Sequence, residues 1–238
     1  MILEKMMITE PWTKTERGVL YEEPLLLRAN KARMFGSIEK YHGGIIHSAL
    51  FTYLCGKSDE QLFDTNKELF RGWLVCMSAD WEEFIRKYPL KNVMRRVMMD
   101  PRCGISEKTL PPLPDGYSVG GFTQEIFEMH PFGQAVNYQN YEDFLQHGAG
   151  VAVLFDGDVT AAASSFLTFG NDIELDLFTS PEHRRKGLAD HCVSQLMRDC
   201  TERGLTVHWD AQNTASAEMA LSHGFTIAQE YAVYELDI

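Results

Sequence analysis

The sequence predicts a mixed α/β protein in two parts. Three observations lead there. Segments of helical and strand periodicity alternate along the chain. A proline-rich stretch interrupts it near the middle, and tight-turn signals separate β-rich runs in the second half. The interruption, DPRCGISEKTLPPLPDGYS from Asp100 to Ser118, holds four of the nine prolines: Pro101, Pro111, Pro112 and Pro114. It reads as a boundary, dividing the chain into residues 1–107 and 108–238. A chain of 238 residues is long enough for each part to bury a core without disulfide staples.

Before the boundary, EEPLLLRANKARMFGSIEKY spaces its apolar residues helically. Gly43 to Gly56, GGIIHSALFTYLCG, is bounded by glycine and rich in β-branched and aromatic residues, so it reads as one or two strands. SDEQLFDTNKELFRG opens a helix with a Ser58–Gln61 capping box. WLVCM reads as a short strand, SADWEEFIRKYP as a helix closed by Pro89, and NVMRRVMMD as a strand.

After the boundary, GYSVGGF reads as a strand, and TQEIFEMH and NYEDFLQHG as short helices. Residues 150–180 read as three strands turned at Asp156-Gly157 and Gly170-Asn171. A loop then leads into a helix whose Leu188, Val193, Leu196 and Met197 share one face, closed by Gly204. LTVHWDA follows as a strand, SAEMALSHG as a helix, and FTIAQEYAVYELDI as two closing strands.

Composition excludes several partners. The formal net charge is -12, against the basic surface that nucleic acid or an anionic membrane requires. No run approaches the length of a membrane span, and Glu4 and Lys5 break the apolar N-terminus, unlike a signal peptide. The five cysteines are odd in number and lack CxxC spacing, which suits free thiols rather than disulfides or a metal site. A cytoplasmic protein without a metal is expected; a homodimer is compatible with the chain.

Against this acidic background SPEHRRKGLADH, Ser180 to His191, stands out. His183, Arg184, Arg185 and Lys186 crowd together just before Gly187. A strand, a basic glycine-containing loop and a helix N-terminus together make an anion site, because free amides and the helix dipole point at the loop. Gly187 lets backbone approach a ligand closely. The spacing matches neither GxxxxGK[ST] nor GxGxxG. A solvated basic helix start is the alternative reading.

Arg184 to Ala189, RRKGLA, resembles the R/Q-x-x-G-x-G/A signature of the GNAT N-acetyltransferases. Asn213 to Phe225, NTASAEMALSHGF, resembles that family's N-x-A-S-x-x-x-Y-x-x-x-G-F element at every position but one. Both lie in the family's order within residues 108–238. IELDLFTS and HWDAQN also look like a bacterial subgroup that carries an extra N-terminal α/β half. The resemblance implies a mixed, splayed central sheet flanked by helices, with an added N-terminal α/β domain. The strand–helix order there permits a degenerate copy of the same fold.

It implies acetyl-CoA as co-substrate. The amides of Arg185, Lys186, Gly187, Leu188, Ala189 and Asp190, after the motif arginine Arg184, would hold the pyrophosphate. The backbone of Leu177, Phe178 and Thr179 would pair with pantetheine, and an amide there would polarise the thioester carbonyl. Asn213 would hydrogen-bond pantetheine. Ser216 lies where pantetheine should run, or else caps the helix beginning there.

The family's tyrosine, which protonates the departing thiolate, is Ala220 here. Either another group serves as acid, or the thiolate leaves unaided, since a thiol of pKa about 8.5 needs little help, or the protein binds acetyl-CoA without transferring acetyl. Attack by an amine also needs a base. Glu174 and Asp176 alternate with leucines and share a strand face, so one could be poised as base; an exposed strand face is the rival reading. The family's glutamate falls one residue earlier, an offset a β-bulge would absorb. Asp210 would end the next strand near the splay, binding or deprotonating a cationic amine, or capping the strand. His208 and His223 are acid–base candidates or structural histidines. Cys192 and Cys200 read as core thiols. The Met-rich NVMRRVMMDP suits strand packing or an adaptable cleft. The expected activity is acetyl transfer to a primary amine of a small molecule, in a ternary complex. An acetyl-CoA sensor and a protein N-acetyltransferase are the alternatives.

Overall fold

The computed structural model describes residues 32–36, 44–48, 51–106, 108–129 and 137–238. They form two compact units: the described residues up to Arg96 together with Gln229–Ile238, and Val97–Ala228. The chain passes from one unit to the other inside a strand each time, first within β5 (Leu90–Met99) and again within β12 (Ile227–Leu236). The proline-rich stretch therefore belongs to the second unit.

The first unit is a mixed sheet. β1 (Ala32–Gly36), β2 (Gly44–Ser48) and β3 (Phe51–Cys55) form an antiparallel meander. β4 (Trp73–Cys76) lies parallel to β3, and β12 lies antiparallel to β4, giving the order β1-β2-β3-β4-β12-β5. A parallel pair needs a crossover. It is supplied by α1 (Glu60–Thr65) and a 3-10 turn at Lys67–Phe70. Ala32–Gly36 lies inside the segment expected to be helical, yet it is a strand because β2 offers it a ladder; the rest of that helical expectation lies outside the described residues. The cap of α1 is Asp59, whose carboxylate accepts the Leu62 N–H at 2.9 Å, not Ser58. Ser58 instead donates its amide to Asp80, which holds that carboxyl below its usual range.

α2 (Ala79–Ile85) anchors this unit. Ser78 caps it and also donates to the Gly56 carbonyl. Trp81 is completely buried, edge-on to Phe84, and its indole N–H reaches the Cys55 carbonyl at 3.0 Å. The ring is apolar packing with its one polar group satisfied.

The second unit is a five-stranded sheet in the order β10-β9-β8-β7-β6: β6 is Tyr117–Gly121, β7 Gly150–Phe155, β8 Asp158–Phe169, β9 Asp172–Thr179 and β10 Thr206–His208. All neighbours are antiparallel except β9 and β10. Left-handed Asp156 (φ 50°) and Gly157 (φ 90°) make the β7–β8 hairpin turn. Alternate residues face opposite sides. Val151, Val153, Ala161 and Ala163 pack beneath α5 (Leu188–Glu202). Ala152 and Ala162 pack on the other face with Phe127 of α3 (Gln124–Glu128) and Phe144 of α4 (Tyr141–His147). The alanines of β8 allow close packing on both faces.

Two strand expectations are corrected. LTVHWDA divides at Trp209 into β10 and β11 (Asp210–Ala211), because the two halves pair with different strands. The closing segment is one ten-residue strand, β12, since nothing between Ile227 and Leu236 turns the chain.

Trp81→Ala should lower unfolding free energy by about 3–5 kcal/mol, as expected for emptying a large aromatic site. Urea denaturation followed by circular dichroism measures this, and a loss below about 1 kcal/mol would show that Trp81 is not the anchor.

Candidate functional site

The site begins where one ladder ends. β10 pairs with β9 only from Thr206↔Asp172 to His208↔Glu174. Beyond that point β9 runs on to Thr179, while the other strand turns to a different partner. Its other edge is bonded to Arg102 and Met99: Arg102 and Val207 exchange amide hydrogen bonds of 2.9 and 2.8 Å, and Met99 N–H donates to Trp209 O at 2.9 Å. β11 then pairs with the end of β5 at Asp210↔Met98 and Ala211↔Val97. β9 and β11 therefore part, and the sheet splays between them.

Glu174 sits at the apex of the split. It is 8 % exposed, and its carboxylate accepts the Asp210 N–H at 3.2 Å. Sequence reasoning points to both residues, and the structure brings them together. The register irregularity expected nearby lies in β8, between Ser165 and Leu167, and not in β9. Along β9 the residues pass from buried Glu174 and Leu175 to half-buried Asp176–Thr179. Leu177 packs toward the α5 core and Phe178 toward the α3–α4 core. Their side chains are thus committed to packing, and the Leu177 N–H donates to the Asp176 carboxylate at 3.0 Å.

The loop after β9 is shaped by backbone. Ser180 N–H ties it to Thr160 O, and a 3-10 turn covers Pro181–His183. Arg185 (φ 62°) and Gly187 (φ 76°) are both left-handed. Closely spaced left-handed residues turn amides into a concave anion cradle. Gly187 is the N-cap of α5 and offers no capping side chain, and the first backbone bond returning to it comes from His191 at 3.3 Å. The amides of Leu188, Ala189 and Asp190 precede any intrahelical acceptor. A Cβ on Gly187 would meet nothing within 4 Å, so the cradle opens outward.

The four cation-capable side chains do not act as a block. Lys186 Nζ donates to Tyr117 OH at 2.7 Å, and its ammonium lies 5.3 Å from that ring's centroid. His183 Nδ1 lies 2.7 Å from the same hydroxyl. Arg184 Nε donates to Thr179 O. Arg184 and Arg185 are exposed. Tyr117 is not expected here from sequence; it comes from the far edge strand of the sheet, β6.

Asn213 caps α6 (Thr214–Ser222), its Oδ1 accepting Ser216 N–H at 3.0 Å. Ser216 is therefore not the cap; its hydroxyl accepts the Trp209 indole N–H at 3.0 Å, fastening α6 to the point where the strand changes partner. Ala220 is fully buried in the core with Trp209 and Phe225, so the helix position of the family tyrosine is a packing position here. His208 is buried against Asp172 (2.9 Å), and burial holds its pKa below the usual value despite that partner. Burial pushes the Cys192 and Cys200 thiols up to about 12.

One cluster is invisible in the sequence. His223, wholly buried at the end of α6, has Nε2 3.0 Å from Asp190 Oδ1 and Nδ1 2.6 Å from Ser106 Oγ. Lys108 Nζ also binds Asp190 Oδ1. Burial alone would raise the Asp190 pKa, but the hydrogen bonds from His223 and Lys108 outweigh it and hold the carboxyl below its ordinary value. Asp190 and His223 stand apart as separate candidates in the sequence, whereas Ser106 and Lys108 come from the proline-rich stretch, which carries no periodic signal.

Among the described residues no cluster of three or more His, Cys, Asp or Glu side chains is arranged to hold a metal, and no helix is long and apolar enough to cross a membrane.

A family model described as GNAT acetyltransferase matches residues 31–234. The uncharacterized N-acetyltransferase YdfB of Bacillus subtilis (strain 168) is 28% identical over 191 residues, covering 76% of this chain and 71% of that protein. A GCN5-related N-acetyltransferase-like protein from Streptococcus suis 89/1591 superposes with a TM-score of 0.73 at 22% identity, over 91% of this chain and 94% of its own. A GCN5-related N-acetyltransferase from Kribbella flavida superposes with a TM-score of 0.59 at 12% identity, over 90% and 93%. At these identities the two structures establish likeness of fold.

Two outcomes are expected. In native protein a thiol reagent should titrate Cys103 quickly and Cys55, Cys76, Cys192 and Cys200 only on unfolding, since Cys103 is the exposed cysteine of the five; rapid loss of more than one thiol would contradict this burial. Second, the lowered Asp190 pKa stabilises the fold above the unfolded value of about 4 and is lost as pH falls through the native value. The urea midpoint should therefore drop below about pH 4, less steeply in Asp190→Asn than in wild type.

Proposed function

The chain belongs to the GNAT acetyltransferase family of transferases, and we propose that it moves acetyl from acetyl-CoA to a primary amine of a small cationic molecule, by direct attack in a ternary complex. The observation carrying this reading is the split between β9 and β11 leading straight into the left-handed, uncapped loop before α5.

The residues present fit the co-substrate. A pyrophosphate needs convergent amides and nearby positive charge. The amides of Arg185 through Asp190 would supply the first, Arg184 and Arg185 the second, and Gly187 the outward-facing gap. The backbone of Leu177, Phe178 and Thr179 would take the pantetheine amides, as an edge strand takes an added strand. The Asn213 amide, whose Oδ1 alone is used by the cap, would donate there too. When bound, acetyl-CoA supplies an activated acyl thioester.

The remaining chemistry belongs to the apex. Glu174 would accept the proton that the attacking amine must lose, while Asp210, on the facing strand, would hold the ammonium form before attack. With a net charge of -12 the surface favours cationic acceptors. Ala220 cannot donate a proton to the leaving thiolate, so water or the acceptor would do so, which a thiolate tolerates. That same residue favours a second reading, a protein that binds acetyl-CoA without transfer.

Calorimetry should show acetyl-CoA binding by wild type and a loss of at least about 100-fold, some 2.7 kcal/mol, in Gly187→Asp, which puts a carboxylate into the cradle. CoA release in the same samples with a panel of small amines separates the readings. Release by any amine supports transfer. Binding with no release supports the sensor, and no binding by wild type overturns both.

A further inference from the structure

Against the outward face of α5 lies a cleft of about 500 Å³, within the second unit. Ile105, Leu110 and Val119 form its apolar wall, with Lys108 and Arg198 among its polar residues. Ser106 opens onto it, and Ser106 is also the end of the buried chain that runs through His223 to Asp190.

The proton positions in that chain follow from what each group can do. The Asp190 carboxylate, kept ionised by Lys108 and His223, only accepts. His223 Nε2 must then carry the hydrogen in the 3.0 Å contact. In the neutral ring Nδ1 is an acceptor, and its partner at 2.6 Å is the Ser106 hydroxyl. The Lys108 backbone N–H donates to the same oxygen at 3.2 Å, and with the ring neutral the hydroxyl donates its own hydrogen to Nδ1. This is the order of a general-base relay: hydroxyl to imidazole, imidazole to carboxylate. His223 is completely buried and so is fixed in this orientation, whereas Ser106 remains partly exposed on the cleft. Nucleophile, base and orienting group lie within hydrogen-bond reach of one another, and the nucleophile opens onto the cleft, as acyl transfer by a hydroxyl requires.

We propose that this chain carries a second reactive centre, in which Ser106 attacks esters or thioesters of small apolar acyl groups bound in the cleft. Ser106 Oγ forms a bond to the acyl carbon, and its proton passes to His223 Nδ1. The bond from the acyl carbon to the leaving oxygen or sulfur breaks, and the imidazolium returns the proton to that alcohol or thiol. Water, deprotonated by the same imidazole, then cleaves the acyl-serine to a carboxylic acid and the free hydroxyl. Asp190 is a positioning residue, holding the imidazole in the required tautomer. The centre does not depend on the acetyl-transfer reading, because its nucleophile and base lie outside the β9–β11 split.

The test is to treat the native full chain with a fluorophosphonate probe, map the modified peptide by mass spectrometry, and follow p-nitrophenyl butyrate hydrolysis in wild type and Ser106→Ala. The expected result is a stoichiometric adduct on Ser106, and hydrolysis at least about 100-fold slower in Ser106→Ala, with circular dichroism and acetyl-CoA binding unchanged. Absence of an adduct on wild type, an adduct on another residue, or equal hydrolysis by the variant would overturn the proposal and leave Ser106 as a fastener of the proline-rich stretch. Peptide mapping is read on wild type, so the proposal stands or falls whether or not the variant folds.

Discussion

The second unit depends on one exchange of backbone partners. A β-strand has two edges, and each amide must be satisfied. Through His208, β10 uses both edges, bonding β9 on one side and Arg102 on the other. At Trp209 it keeps the second partner and releases the first. Asp210, the first residue past the switch, has its amide satisfied by the Glu174 carboxylate rather than by a β9 carbonyl. A side chain thus substitutes for a ladder bond at the point where the ladder stops. β9 thus continues to Thr179 after its ladder with β10 has ended at His208↔Glu174.

The surrounding packing holds the split apart. Trp209 is 3 % exposed and bonded through its indole to Ser216, which sets α6 against the switching strand. Beneath β9, α5 packs its buried Leu188, Val193, Leu196 and Met197 on the sheet, and its N-terminus faces the loop. The left-handed Arg185 and Gly187 bring the chain from strand to helix within a few residues, so amide direction and helix dipole reinforce one another. The same helix start carries Asp190, whose negative charge would oppose a nearby anion. Lys108 and His223 bind that carboxylate and turn it to the protein side.

Much of this architecture was legible in the sequence. The Asp156-Gly157 and Gly170-Asn171 turns, the three strands they join and the apolar face of α5 rest on local chemistry, and each appears where expected. The loop before α5 was legible as a strand-to-helix turn because basic residues, one glycine and a helix start adjoin in the chain. Where reading failed, a partner distant in sequence decided. Ala32–Gly36 is a strand because β2 pairs with it, although its apolar spacing is helical. LTVHWDA is a single strand by pattern and two by partner. Ser58 reads as the cap of α1, but Asp80 captures it and the neighbouring Asp59 caps the helix instead.

By itself the sequence determined the alternation of elements, the tight turns, the basic loop before α5 and the pair of motifs that frame it, because these depend on neighbours in the chain and on side-chain periodicity. Only the tertiary structure decided that Glu174 meets Asp210, that Tyr117 takes up His183 and Lys186, that Ala220 is core, and that Ser106 and Lys108 reach His223 and Asp190 across 117 and 82 residues of chain. The physical reason is that hydrogen bonds and buried contacts act over a few ångströms in space. Folding brings together groups whose separation along the chain carries no record of that distance.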